Sequence, residues 1–196
     1  MDPVTGAPAW VLPDESVPVR LMNTVWADRY GVHDALSTTD GLSLWLRHVA
    51  GVDDAPSSDE LLMVHRLRDG LRRLAAHCTG DTRPGAGSSI GDMPDAVALV
   101  NDVALAAIVA PQLHLDAGVL RRETASSASP VSTALAGIAT QAMTLLTEAP
   151  GSLRACHAPG CVLYFVKDHP RREWCSVGCG NRARAARHYR RHRHPA

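Results

Sequence analysis

Along most of this chain the apolar residues recur every three or four positions, the period of a helix with one buried face. Leu42, Trp45, Leu46 and Val49 share such a face and predict a helix that starts near Thr39 and stops near Gly51. Leu61, Val64, Leu67, Leu71, Leu74 and Cys78 predict a longer one, with Ser57 and Glu60 spaced as a capping box before it and Gly80 ending it. Cys78 closes that stripe and is expected in the core, where free cysteines commonly sit. A Gly- and Pro-rich loop follows, from Gly80 to Pro94. Asp92 is placed to cap a helix through Val97, Val100 and Leu105 that continues until Pro111. From Gln112 to Glu123 the period changes to two: Leu113 and Leu115 alternate, Ala117-Gly118 turns, and the segment reads as a small β-hairpin. Thr124 to Ser129 is a polar linker. Ser129-Pro130 then suits the cap and first turn of a helix through Leu135, Ile138, Ala142 and Leu145, closed by Pro150-Gly151. Near the start, Leu21 to Tyr30 reads as a helix, and residues 1–18, with Pro3, Pro8, Pro13 and Pro18, as extended.

Composition supports a mainly α fold. Apolar residues make up 45% of the 196 residues but aromatic ones only 4%, so Leu, Val and Ala must build the core, and Ala and Leu favour helices. The expected organisation is an extended segment 1–18, a helical domain 19–149 with a small hairpin, and a C-terminal module 150–196 that folds apart from it.

Charge sharpens that division. The formal net charge is zero. Residues 151–196, however, carry ten Lys and Arg against Asp168 and Glu173, a balance of +8, and residues 1–150 carry ten Arg against eighteen acids, a balance of −8. A basic tail behind an acidic body points to a polyanionic partner, or to attraction between the two halves. No positive segment followed by an apolar run marks a secretory signal, and no stretch is apolar enough to span a membrane. The protein is expected in the cytoplasm, without a membrane partner. In that reducing compartment clustered cysteines are better read as ligands than as disulfides.

Four of the five cysteines lie within 24 residues: Cys156 and Cys161, separated by four residues, and Cys175 and Cys179, separated by three. Two close pairs let two short loops supply the four soft ligands of a closed, tetrahedral structural zinc site, with one Zn²⁺ expected. Pro159-Gly160 suits a tight knuckle in the first pair. Val162 to Val166 reads as a strand, Lys167 to Arg171 as a turn, Arg172 to Trp174 as a return strand, and Gly180 to His192 as a helix with Cys179 at its start. Knuckle, hairpin and ligand-bearing helix make a treble-clef-like zinc module. The alternatives are four ordinary buried thiols, or substitution of a ligand by His157 or His169. A redox pair is disfavoured, since neither spacing is Cys-x-x-Cys.

At these residues a resemblance becomes specific. Cys179-Gly180-Asn181-Arg182 is the signature of the CGNR zinc-finger family, and Cys156, Gly160-Cys161, Tyr164-Phe165 and Arg171-Arg172-Glu173-Trp174-Cys175-Ser176 are similar to the pattern around it. Upstream, Leu21-Met22-Asn23-Thr24 and Leu67-Arg68-Asp69-Gly70-Leu71-Arg72-Arg73-Leu74 resemble the ABATE domain that usually precedes this finger. The turn Lys167 to Arg171 is shorter than the family's. The resemblance implies a bacterial, stress-linked transcription regulator that binds DNA.

The helix after the signature is rich in arginine. Arg184, Arg187 and Arg191 form one stripe, Arg190 lies beside it, and Arg182 and Arg193 flank a further edge. Ala185, His188, Tyr189 and His192 gather on the other side, where they can pack on the zinc core or the hairpin. A rigid helix with an arginine stripe suits a DNA groove or a track along phosphates of double-stranded DNA. A solvated charged face, or a strap across the acidic body, are the alternatives, and Asn181 and Arg182 could instead hydrogen-bond the thiolates.

In the first 150 residues no phosphate loop, no His-Glu-x-x-His and no Gly-x-Ser-x-Gly is present, so no enzyme is expected. Asn23 and Thr24, polar among Leu21, Met22, Val25 and Trp26, either line a ligand pocket or bond neighbouring backbone. By analogy with two-part regulators, residues 19–149 would sense a small-molecule effector or form a homodimer. The leading expectation is a zinc-dependent DNA-binding transcription regulator associated with the nucleoid. The alternative is an adaptor whose basic zinc module docks an acidic partner protein.

Overall fold

A computed structural model describes residues 12–28, 30–83, 88–149 and 151–193. The extended segment expected for residues 1–18 therefore lies mostly outside the described residues. Its described end enters a short helix, α1 (Val17–Met22), with Pro18 in the first turn. The helix expected from Leu21 to Tyr30 stops at Asn23. The chain then forms a two-stranded hairpin, β1 (Val25–Asp28) and β2 (Gly31–Asp34), in which Trp26 faces His33 with ring centroids 4.2 Å apart. Val25 and Trp26 favour strand over helix, and the cross-strand ring pair gives them a reason to form one.

The longer helices follow the periodicity closely. α2 (Thr39–Ala50) is capped by the Thr38 hydroxyl and ends on Gly51 in the left-handed region, at φ 65°. α3 (Ser58–Thr79) starts with the reciprocal Ser57–Glu60 capping box and ends on Gly80 at φ 62°. α4 (Met93–Leu105) is capped by Asp92, and α5 (Pro130–Glu148) by Ser129. Gly70 of α3 admits α4 closely: a Cβ there would stand 3.0 Å from the Leu99 side chain.

Three expectations in this part are corrected. Cys78 is exposed, not core. It follows Val64 and Leu71 at steps of seven, and such a stripe drifts about 20° per heptad around a straight helix, so the last turn of α3 carries it off the core. α4 ends at Leu105 rather than continuing to Pro111. The hairpin is longer than its alternation announced, with β3 (Val109–Asp116) and β4 (Val119–Ser126) turning at Ala117-Gly118. Pro111 sits inside β3, which it can do because each strand of a two-stranded ribbon is an edge.

The C-terminal segment adds β5 (Leu153–Ala155), β6 (Tyr164–Val166) and α6 (Val177–Arg193). β6 pairs with β5, ahead of the first knuckle, and not with Arg172 to Trp174 as expected. The reason is that the other edge of β6 is taken. Asn23 accepts from the Tyr164 N–H and donates to the Tyr164 carbonyl, both at 2.9 Å, pairing like a residue of a neighbouring strand. Glu15 accepts the Val166 N–H on the same edge.

Two buried clusters result: a small one around the four cysteines with Ala158 and Phe165, and a large one that runs across residue 150. Leu153, Ala155 and Tyr164 lie in the same cluster as Val19, Leu21, Leu42, Leu67, Val100 and Leu135. Among the described residues no helix is long and apolar enough to cross a membrane.

Replacing Asn23 with Ala would orphan two buried backbone groups. The expected cost is about 2–6 kcal/mol, at about 1–3 for each unsatisfied group. Urea unfolding followed by far-UV circular dichroism and by zinc release should show both signals moving together to lower denaturant, because the core is shared.

Candidate metal centre and the helix it carries

The two cysteine pairs are delivered by different means. Cys156 follows β5 directly, and its N–H donates to the Leu163 carbonyl, closing the first knuckle. Within that knuckle Gly160 adopts φ 71°, as the Pro-Gly pair implied, and the Cys161 N–H reaches the Ala158 carbonyl. Cys175 precedes α6, and Cys179 is the third residue of that helix. The Ser176 hydroxyl caps it by accepting the Cys179 N–H. Gly180 is buried against Trp174, and a Cβ would stand 3.2 Å from that ring.

All four Sγ atoms lie within 4.8 Å of one another, and all four cysteines are buried. Cys161 and Cys175 are 3.9 Å apart at sulfur, Cys175 and Cys179 3.4 Å. A tetrahedron with Zn–S bonds of about 2.3 Å has S···S edges of about 3.8 Å, so the residues fit Zn²⁺. His157 and His169 are exposed and stand outside the cluster; no histidine substitutes for a thiolate. The neighbouring thiols, Cys156 foremost, pull the Cys179 thiol well below the usual range and push the Cys175 thiol up. Four thiols this close cannot all ionise unless a cation joins them, which is the electrostatic demand that zinc meets.

Arg182 contributes to the same demand. Its guanidinium donates to the Cys179 sulfur at 2.9 Å. Of the arginines read as DNA contacts, this one also makes the bond to a thiolate that was weighed for Asn181 and Arg182 in the sequence. Arg184 hydrogen-bonds Asn181. Arg184, Arg187, Arg190 and Arg191 are exposed, and none of them forms an ion pair with an acidic side chain of the described residues. The backbone of α6 extends to Arg193. Ala185, His188, Tyr189 and His192 do not pack on the zinc core as expected; they are exposed, and Ala183 is the helix residue that is buried instead. Beyond its first one to two turns the helix is exposed, and among the described residues its arginines make no ion pair with the acidic part.

Asn23 and Thr24 are completely buried, and the contacts they make are to the chain itself. Asn23 pairs with β6. The Thr24 hydroxyl donates to the Leu21 carbonyl and accepts from Arg68, which also grips Asp34 through both carboxylate oxygens. What the sequence did not single out is a second grip on the knuckle. Arg83 donates to the carbonyls of Cys156 at 2.6 Å and Cys161 at 2.9 Å, and its other side holds Asp81. Burial would raise the Asp81 carboxyl, but hydrogen bonds from Arg83 and from the Tyr164 hydroxyl outweigh it and hold it at about 2. No local motif marks Arg83, because its partners are more than seventy residues away. A cleft of about 450 Å³ adjoins this grip, lined by Asp28, Val32, Arg83, His157, Gly160 and Val162.

The purified protein is expected to carry one zinc per chain by elemental analysis. Cys161→Ser should abolish tight binding. Arg182→Ala should leave the ligand set intact yet weaken zinc roughly ten- to a hundredfold in a competition titration with a chromogenic chelator, the usual cost of losing a partner to a metal ligand.

Among known families, ABATE, described as a putative stress-induced transcription regulator, matches residues 15–149, and the CGNR zinc finger matches residues 152–192. No curated protein matches the chain. The first match covers well over half of the sequence, and the second encloses the four clustered thiols. The chain therefore belongs to the ABATE family and carries a CGNR zinc finger whose Cys156, Cys161, Cys175 and Cys179 form one structural zinc site.

Proposed function

We propose that this protein is a zinc-dependent, DNA-binding transcription regulator, with α6 as the element that meets double-stranded DNA. The observation that carries this reading is the state of α6: a long helix, rooted at its base in the four-cysteine cluster, with Arg184, Arg187, Arg190 and Arg191 exposed and without an acidic ion-pair partner among the described residues. Groups that could have been neutralised by a body of charge −8 are left for another polyanion. No reaction is part of the proposal. The body is read as the receiving end for a small-molecule effector, in the cleft beside Arg83, where a bound ligand would touch the residue that holds the knuckle. Such a regulator would work in the cytoplasm, at the nucleoid.

The test is the salt dependence of DNA binding by the full, zinc-loaded chain. Four to five phosphate contacts from α6 give a slope of log affinity against log salt of roughly −4, at about −0.9 per contact. Arg187→Ala should weaken all duplexes alike and flatten the slope by about one unit if Arg187 meets a phosphate. If it reads a base, the slope should hold while sequence preference relaxes, at a cost of about 1–3 kcal/mol. A zinc-loaded chain without affinity for DNA even at low salt would defeat the reading and favour an adaptor that docks an acidic protein.

A further inference from the structure

The β3–β4 ribbon is built like half of an interface. Its register places Val109, Pro111, Leu113 and Leu115 on one face, opposite Ser126, Thr124, Arg122 and Leu120. The other face carries Gln112, His114 and Asp116 opposite Glu123, Arg121 and Val119. The ion pairs of the ribbon, His114–Glu123 and Arg121–Asp116, belong to this second face. A ribbon divided in this way into an apolar and a polar side normally lays the apolar side on a core. Here it does not: Leu113, Leu115 and Leu120 are 72%, 71% and 69% exposed, and every residue of β3 is exposed. The ribbon is tied to the body at its base, where the Thr133 hydroxyl donates to that of Ser126. An isolated two-stranded hairpin is at best marginally stable in water.

We propose that the apolar face of the β3–β4 ribbon is the dimerisation surface of this protein, and that its occupant is the same face of a second copy. Charge selects that occupant. The ribbon carries Asp116, Glu123, Arg121 and Arg122 and is neutral, whereas residues 1–150 as a whole stand at −8. It is the part of an acidic body that a second acidic body can approach without repulsion. Arg122 is the sole charged residue on the apolar face, so a partner recruited by charge would find little to recognise there. Leucine against leucine is self-complementary, as an isologous two-fold contact requires. The size is also adequate. Two eight-residue strands of about 27 Å, covered face to face on both copies, remove on the order of 1,000 Å² from water, the threshold of a specific interface. The surface is separate from α6, so the inference stands or falls independently of the DNA reading.

The experiment is light scattering coupled to size-exclusion chromatography on the full, zinc-loaded chain, followed by sedimentation equilibrium. The wild type should have twice the 20.9 kDa mass of one chain. Leu113→Glu combined with Leu120→Glu should raise the dimer dissociation constant roughly a hundredfold or more, while zinc content and helical circular dichroism stay unchanged, since both leucines are exposed in the single chain. His114→Ala, on the polar face, should leave the dimer intact. A monomeric wild type overturns the proposal. So does a double variant that stays dimeric, or a dimer lost on His114→Ala and kept in the double variant.

Discussion

β6 has three residues and one partner strand, also of three residues, which is far too little sheet to hold a module in place. What makes it sufficient is the other edge, where the Asn23 amide supplies both a donor and an acceptor to Tyr164. Glu15 extends that pseudo-strand by taking the Val166 N–H, while also pairing with Arg172. Unpaired, these three backbone groups would be buried polar orphans, and the segment could not sit against the body at all. With the edge satisfied, Tyr164 can go into the core. There the guanidiniums of Arg72 and Arg83 lie over its ring, at 5.5 and 5.4 Å from the centroid, and its hydroxyl donates to Asp81. The helical body and the finger are thus joined through a residue of the finger that lies in the core of the body, while its neighbour Phe165 packs on the cysteine cluster.

The arginines of α3 show why a conspicuous sequence segment can be structural. Arg68 and Arg72 are one turn apart on a face that is otherwise apolar, and both are buried. Arg68 clamps Asp34 of β2 and the Thr24 hydroxyl, and Arg72 reaches the Met22 carbonyl. Burial draws the Arg72 guanidinium below its usual range, so its charge is held at a cost that the surrounding acceptors offset. These two side chains hold Met22, Thr24 and Asp34, and with them the position of Asn23. The segment that resembles the ABATE pattern therefore acts on the finger from a distance, by holding what holds β6.

The parts of this fold legible in the sequence are those specified by neighbours. Helix ends at Gly51 and Gly80, the Ser57–Glu60 box and the Asp92 and Ser129 caps are written within four residues of where they act. The zinc ligands were legible because soft ligands must cluster in short loops, and four cysteines in 24 residues do. Where the expectations around the finger and its seat failed, the cause is distance along the chain. Asn23 and Tyr164 are 141 residues apart, and Arg83 lies more than seventy from the knuckle carbonyls. Without those contacts, residues 21–30 looked helical and β6 lacked its true neighbour. The burial expected for Ala185, His188, Tyr189 and His192 failed for a different reason. Helical periodicity says which residues share a face but not whether anything is there to cover it.

The metal gains its meaning from this arrangement. Cys156 and Cys161 are fastened to the body three times over, by β5, by β6 and by the Arg83 bonds to their carbonyls. Cys175 and Cys179 carry α6, which has little other attachment: Gly180 against Trp174, Ala183 buried near the cluster, and Arg182 bonded back to a thiolate. One pair is thus anchored and the other pair bears the helix. Zinc bonded to both is the joint that sets the direction of α6 relative to the body, since coordination at four fixed corners leaves no freedom to swivel. Hydrophobic packing could not do this for a helix whose outer turns have no apolar face to bury, and a longer apolar helix would have surrendered the exposed arginines. A metal joint lets a strongly basic helix stand clear of an acidic body and still be rigid.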